Sequence, residues 1–101
     1  MKVKLLRKES NELRIEIEGE GHTFCNMLQK ALLEDETVEM AGYDIPHPLM
    51  TKTIVYVRTK DKRKPEAALR DAAAKLRKRS RELRKTLEKA FEEYDKAARS
   101  S

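Results

Sequence analysis

Glu12-Leu-Arg-Ile-Glu-Ile-Glu18 is followed by Gly19-Glu-Gly21, and then by His22-Thr-Phe-Cys-Asn-Met-Leu-Gln-Lys-Ala-Leu-Leu33. In the first run polar and apolar residues alternate strictly. Leu13, Ile15 and Ile17 point one way, and Glu12, Arg14, Glu16 and Glu18 the other, the pattern of a strand with one face on a core and one in water. The glycines break that strand. Thr23 then stands where a hydroxyl can accept an orphan helix N–H, so it is expected to be the N-cap. Phe24, Met27, Leu28, Ala31 and Leu32 follow at i, i+3, i+4, i+7 and i+8, a single apolar stripe on a helix of about three turns. The period changes from two to 3.6 within one short stretch, which calls for a sheet with a helix laid on it. Leu33 widens the stripe beyond what one sheet face needs, so the helix is expected to touch more than its own sheet.

Working outward, Val3 to Lys8 reads as a first strand, and Ser10-Asn11 supplies turn chemistry that joins it to the second as a hairpin. Downstream, Glu34-Asp35-Glu36 closes the helix. Thr37 to Tyr43 reads as a third strand with Val38 and Met40 on one face. Asp44-Ile45-Pro46-His47-Pro48 cannot be regular structure, because its two prolines remove donors and hold their predecessors extended. Lys52 to Lys60 contains Thr-Ile-Val-Tyr-Val and reads as a fourth strand. A charged loop, Lys60-Asp61-Lys62-Arg63-Lys64, leads to Pro65 at the first helical position, with Glu66 complementing the dipole. No Gly or Pro interrupts the chain from there to Arg99, so one helix of about 50 Å is expected at 1.5 Å per residue. Leu69, Leu76, Leu83 and Ala90 recur every seven residues, with Ala73, Ser80, Leu87 and Tyr94 interleaved. This narrow a/d seam suits one close-packed helical partner, and is expected to project from the domain or lie along a neighbour. The expected fold is a single α+β domain over residues 1–101. It has a four-stranded, mostly antiparallel sheet, a short helix at about 22–34 and a long C-terminal helix at about 65–99.

With 101 residues, 41% of them charged and 5% aromatic, the chain has room for a modest core and little for a deep catalytic cavity. Net charge is +5 but unevenly spread. Residues 1–50 carry six Lys/Arg against ten Asp/Glu, and residues 51–101 carry seventeen against eight. The run Lys75-Leu-Arg-Lys-Arg-Ser-Arg-Glu-Leu-Arg-Lys85 can meet phosphates, with steep salt dependence. No aromatic is interleaved for base stacking, so nucleic acid is expected only indirectly or weakly. A second reading takes residues 58–85, and Arg77, Arg79 and Arg81 in particular, as a basic nucleic-acid-binding segment. Cys25 is the only cysteine, which leaves no intrachain disulfide. No run approaches the ~20 apolar residues of a membrane span. A cytoplasmic protein without membrane contact is expected.

Chemistry has few candidates. His22 and Cys25 are three residues apart, but zinc wants three or four ligands, and His47 is the only other histidine. A Cys/His nucleophile pair needs a third orienting group and a pocket; Cys25 reads better as a small hydrophobe. Gly19, Gly21 and Gly42 match no phosphate-binding loop. No catalytic residue, metal, cofactor or small-molecule substrate is expected. His22 and Asn26 either buttress the helix start or contact another subunit. Tyr43 reads as an amphipathic strand residue, and His47 as a turn residue between prolines.

The stretch Gly19 to Pro48 closely resembles the small α-like subunits of multisubunit RNA polymerases, the archaeal subunit L family and its eukaryotic counterpart. The resemblance is carried by His22, Thr23, Phe24, Asn26 and Leu28, by Met40-Ala-Gly-Tyr43, and by Pro46-His47-Pro48. It implies the dimerisation fold of the bacterial α-subunit N-terminal domain. It also implies pairing with a larger α-like subunit, called D in archaea, and a platform on which the large subunits of a nucleotidyltransferase assemble. The interface would then fall on the two helices, through Phe24, Met27, Leu28, Ala31, Leu32, Leu69, Leu76, Leu83, Leu87 and Phe91. Gly21, Cys25, Gln29 and Lys30 depart from the family pattern. Gln29 and Lys30 stand where related chains often carry Arg; in the bacterial relatives basic residues there help hold a catalytic subunit, and the resemblance does not carry that contact over to this chain.

Overall fold

The computed structural model describes residues 1–46, 52–76 and 80–100. Four strands, β1 (Lys2–Lys8), β2 (Glu12–Glu18), β3 (Val38–Asp44) and β4 (Lys52–Thr59), form one antiparallel sheet in the order β1-β2-β4-β3. The alternation seen in the sequence fixes its faces. Leu13, Ile15 and Ile17 of β2 and Thr53, Val55, Val57 and Thr59 of β4 are buried. Glu12, Glu16 and Glu18 face their partners Arg58, Ile54 and Lys52 on the other side.

Three helices cover the buried face: α1 (His22–Leu33), α2 (Pro65–Ala74) and α3 (Ser80–Ser100). α1 packs on β3, α2 lies between the other two helices over β4 and β2, and α3 packs on β1 and α2. Phe24, Leu28 and Leu32 of α1, Leu69 and Ala73 of α2, and Leu83, Leu87 and Phe91 of α3 join the sheet in one core. Each large apolar side chain buried there contributes about 1.5–3 kcal/mol.

Four expectations need correction. The single C-terminal helix is two, because α2 ends at Ala74 and α3 begins at Ser80. Lys75 and Leu76 donate their N–H groups to Ala72 O and Ala73 O, at 3.1 and 3.0 Å, in tightened i→i−3 bonds that close α2. The chain then returns across the sheet, which leaves the molecule 34 Å in its longest dimension. The seam therefore has an intrachain partner: α3 lays it over β1, an edge strand that α1 and α2 leave open. Thr23 is not the N-cap either. Gly21, extended at φ −100° and ψ −165°, takes that place with no side-chain cap, and the N–H of Cys25 bonds to its carbonyl at 3.2 Å.

The fourth correction is in β3. Val38 and Met40 lie on opposite faces, because the register shifts between them: Val38 pairs with Thr59 and Met40 with Arg58. The extra residue of such a bulge reverses the side on which later residues fall. A second shift between Leu5 and Arg7 does the same in β1. It leaves Leu6 40% exposed and brings Lys8 opposite Leu13, on the helix side of the sheet.

Polar contacts fasten the loops to this frame. Asn11 donates to Asp61 O (2.8 Å) and to Thr59 Oγ1 (3.2 Å), which joins the β1–β2 turn to the loop before α2. Asp61 sits there at φ 51°, in the left-handed region that Asp tolerates better than most residues. Asp35, between α1 and β3, accepts from the Thr37 hydroxyl at 2.6 Å and its N–H at 2.9 Å. Those two bonds, with the Arg63 guanidinium 3.3 Å away, hold its carboxyl below the usual aspartate value.

Candidate interaction surface

The residues expected at a partner interface separate into two groups. Phe24, Leu28, Ala31, Leu32, Leu69, Leu76, Leu83, Leu87 and Phe91 are buried within the chain itself. Met27 is 49% exposed, and Leu33, a turn and a half further along α1, is 52% exposed. Thr23, Asn26 and Lys30 are exposed on the same side of the helix. α1 therefore presents one face to the sheet and a second, with apolar flanks at Met27 and Leu33, to the outside.

The family-motif residues are partly brought together. His22 opens α1 and Tyr43 lies near the end of β3, with His22 Nδ1 3.2 Å from the Tyr43 hydroxyl and the rings edge to face at 5.7 Å. The pair pins the start of the helix to the edge strand. Gln29 donates to the Ala41 carbonyl at 3.4 Å, so a departure from the family pattern ties α1 to the same strand. Thr23, Asn26 and Pro46 are exposed, while His47 and Pro48 lie outside the described residues. Gly42, in the same motif, has a steric reason: a Cβ there would sit 2.6 Å from Cζ of the Tyr56 ring. Only a glycine lets that ring lie against β3.

Among the described residues, no group of three His, Cys, Asp or Glu side chains could hold a metal ion. Cys25 is buried, and burial pushes its thiol up from the ordinary value, away from the thiolate a nucleophile needs. A polar cleft at one end of the sheet is lined by Glu9, Asn11, Glu12, Arg58 and Lys60, but Arg58 is already paired with Glu12 at 2.6 Å. No described helix is long and apolar enough to cross a membrane. Of the basic run, Lys75 lies 3.5 Å from Glu34; Arg77 and Arg79 fall outside the described residues, as does the side chain of Arg81.

Sequence reasoning missed the cluster that closes α3 onto the domain. Lys8 Nζ lies 3.4 Å from Glu66 Oε2 of α2 and 3.1 Å from Asp95 Oδ1 of α3. Burial alone would lower the Lys8 ammonium pKa. The hydrogen bond to Asp95 and the charges of Glu66 and Asp95 together outweigh it and hold it above the ordinary lysine value. Arg70 of α2 pairs with Glu88 of α3 and lies 4.9 Å from the centroid of the Phe91 ring. No periodicity announces Lys8, whose direction depends on the β1 bulge.

Comparison with known proteins places this geometry. Residues 12–86 match the family described as the RNA polymerase Rpb3/Rpb11 dimerisation domain. The chain is 42% identical to DNA-directed RNA polymerase subunit Rpo11 of Thermococcus kodakarensis over 94 residues, 91% of this chain and all of that one. It is 43% identical to the Rpo11 of Methanocella arvoryzae over 76 residues, 75% of this chain and 82% of that one. The crystal structure of DNA-directed RNA polymerase subunit L from Thermoplasma acidophilum superposes with a TM-score of 0.66 at 31% identity, covering 93% of this chain and 92% of that one. The chain belongs to the RNA polymerase Rpb3/Rpb11 dimerisation-domain family, among its archaeal Rpo11, or subunit L, members.

Proposed function

We propose that this chain is a non-catalytic assembly subunit of a DNA-directed RNA polymerase. It pairs with a larger, D-like α subunit in the cytoplasm, and the pair is the platform for the large subunits that carry out nucleotidyl transfer. The observation that carries this reading is the match to a dimerisation domain over residues 12–86. The surface supports it: Met27 and Leu33 are two of only four large hydrophobic residues exposed among those described, and both stand on α1. They flank the exposed Thr23, Asn26 and Lys30, so the outer side of α1 has an apolar edge on each side that a partner can cover.

On this reading α1 contacts the partner through Met27 and Leu33. The test is a double substitution, Met27→Glu with Leu33→Glu, assayed by copurification with the D-like subunit and by thermal unfolding of the chain alone. Both positions are exposed, so the unfolding midpoint is expected to hold. Capture of the partner is expected to fall at least about tenfold, the loss of roughly 1.4 kcal/mol. Undiminished capture would remove α1 from the interface.

A further inference from the structure

We propose that the free edge of β1, over its first residues, receives an extended acidic peptide segment of another protein as a fifth strand of the sheet. β1 ends the sheet, and residues 2–5 pair with β2 alone. In an antiparallel pair every second N–H and C=O of such a strand points away from its one neighbour. The register shift between Leu5 and Arg7 ends the straight stretch, as a bulge does, so the open template is short and well defined. Beside it runs a groove of about 280 Å³ between β1 and α3, lined by Met1, Val3, Thr86, Lys89, Ala90 and Glu93. The Thr86 hydroxyl donates to the Met1 sulfur at 3.8 Å, which ties the start of the chain to the helix. Ala90 offers only a methyl to that wall, which leaves room for a side chain from an added strand. A strand edge with a groove between it and a helix suits strand addition, in which main-chain bonds give affinity and alternate side chains give choice.

The side chains of β1 state what the added strand must carry. Lys2 and Lys4 are exposed and stand opposite Glu18 and Glu16, on the sheet face that the helices leave open. Neither lysine is in an ion pair among the described residues, whereas Lys8 is committed to Glu66 and Asp95. Val3 and Leu5 stand opposite Ile17 and Ile15, on the helix side. β2 thus already meets β1 with carboxylates beside its lysines and aliphatic side chains beside Val3 and Leu5. A strand on the other edge meets the same demand: Asp or Glu at two alternate positions, and between them an apolar residue turned to the groove at Ala90. A second copy of this chain does not fit. Two β1 edges would set Lys2, Lys4 and Arg7 against the same cations, and like charges directly opposite destabilise a pair. A nucleic-acid strand would meet the lysines but brings no peptide donors and acceptors to the edge. α1, with Met27 and Leu33, packs on β3 at the opposite edge, so this surface is separate from the one assigned to the D-like subunit.

The probe is a fluorescein-labelled peptide of alternating Glu and Val, about seven residues long, the reach of one ordinary strand. The full chain is titrated into it and binding is followed by anisotropy, with amide hydrogen exchange of the chain measured by NMR. Saturable binding is expected, with exchange slowed at alternate amides of residues 2–5 and unchanged on β3, the other edge. Lys2→Glu with Lys4→Glu is expected to weaken binding at least about tenfold. The unfolding midpoint of that variant is expected to hold, because both side chains are exposed. The same peptide with Lys in place of Glu is expected not to bind. Absence of binding by the Glu-Val peptide overturns the proposal. Binding without alternate protection on β1 overturns it too, because that is charge attraction without a strand. Equal binding of the Lys-bearing peptide removes the acidic partner.

Discussion

Gly42 shows how one residue can hold a sheet face together. The Tyr56 ring lies where a Cβ on residue 42 would be, so Gly42→Ala forces the ring aside. The expected loss is about 1 kcal/mol, the low end for overpacking, because the Cβ meets only the outer end of the half-buried Tyr56 ring, which can swing aside. In a Tyr56→Ala background the same substitution is expected to cost much less, because the collision has gone. Urea unfolding of the four chains gives the coupling; equal losses in both backgrounds would mean the ring is not what constrains residue 42. At this scale the sequence was legible where a pattern spoke for a side chain. Leu13, Ile15, Ile17, Leu28 and Leu32 are all in the core, as alternation and helical spacing require. It was silent on Lys8, Leu6 and Met40, whose directions follow from register shifts that no propensity encodes.

The elements show the same division. The four strands and α1 lie within a residue or so of the bounds their periodicity gives, because each is set by local pattern and by the face it must bury. The C-terminal segment differs, because its pattern is satisfied both by one helix beside a partner and by two helices on one sheet. Burial decides between them in the isolated chain: β1 is an edge strand whose Leu5 and Val3 need a cover, and α3 provides it. It follows that the apolar stripe holds α3, with the exposed Arg70–Glu88 pair contributing little. Leu87→Ala is expected to destabilise the chain by about 2–4 kcal/mol, the transfer and cavity terms of a core leucine. Glu88→Ala, which breaks the exposed pair with Arg70, is expected to change stability by less than about 1 kcal/mol. Chemical unfolding distinguishes the two; a Glu88→Ala effect as large as that of Leu87→Ala would place the hold of α3 in its charges.

At the scale of the whole molecule, the chain is a small α+β domain whose one large buried face is filled by its own three helices, and of the four large hydrophobic residues exposed among those described, two stand on α1. Nothing in its described geometry converges on a reacting atom. Its family membership and its exposed Met27 and Leu33 both point outward, to another protein. The His22–Tyr43 contact ties the start of α1 to β3, and Gly42 lets the Tyr56 ring of β4 lie against β3. The central claim, that the chain works by pairing with a larger α-like subunit, is tested most directly by sedimentation velocity of the two proteins alone and mixed. The account predicts a single 1:1 heterodimer at micromolar concentration, with both free species depleted. Two boundaries that sediment in the mixture as they do alone would contradict it.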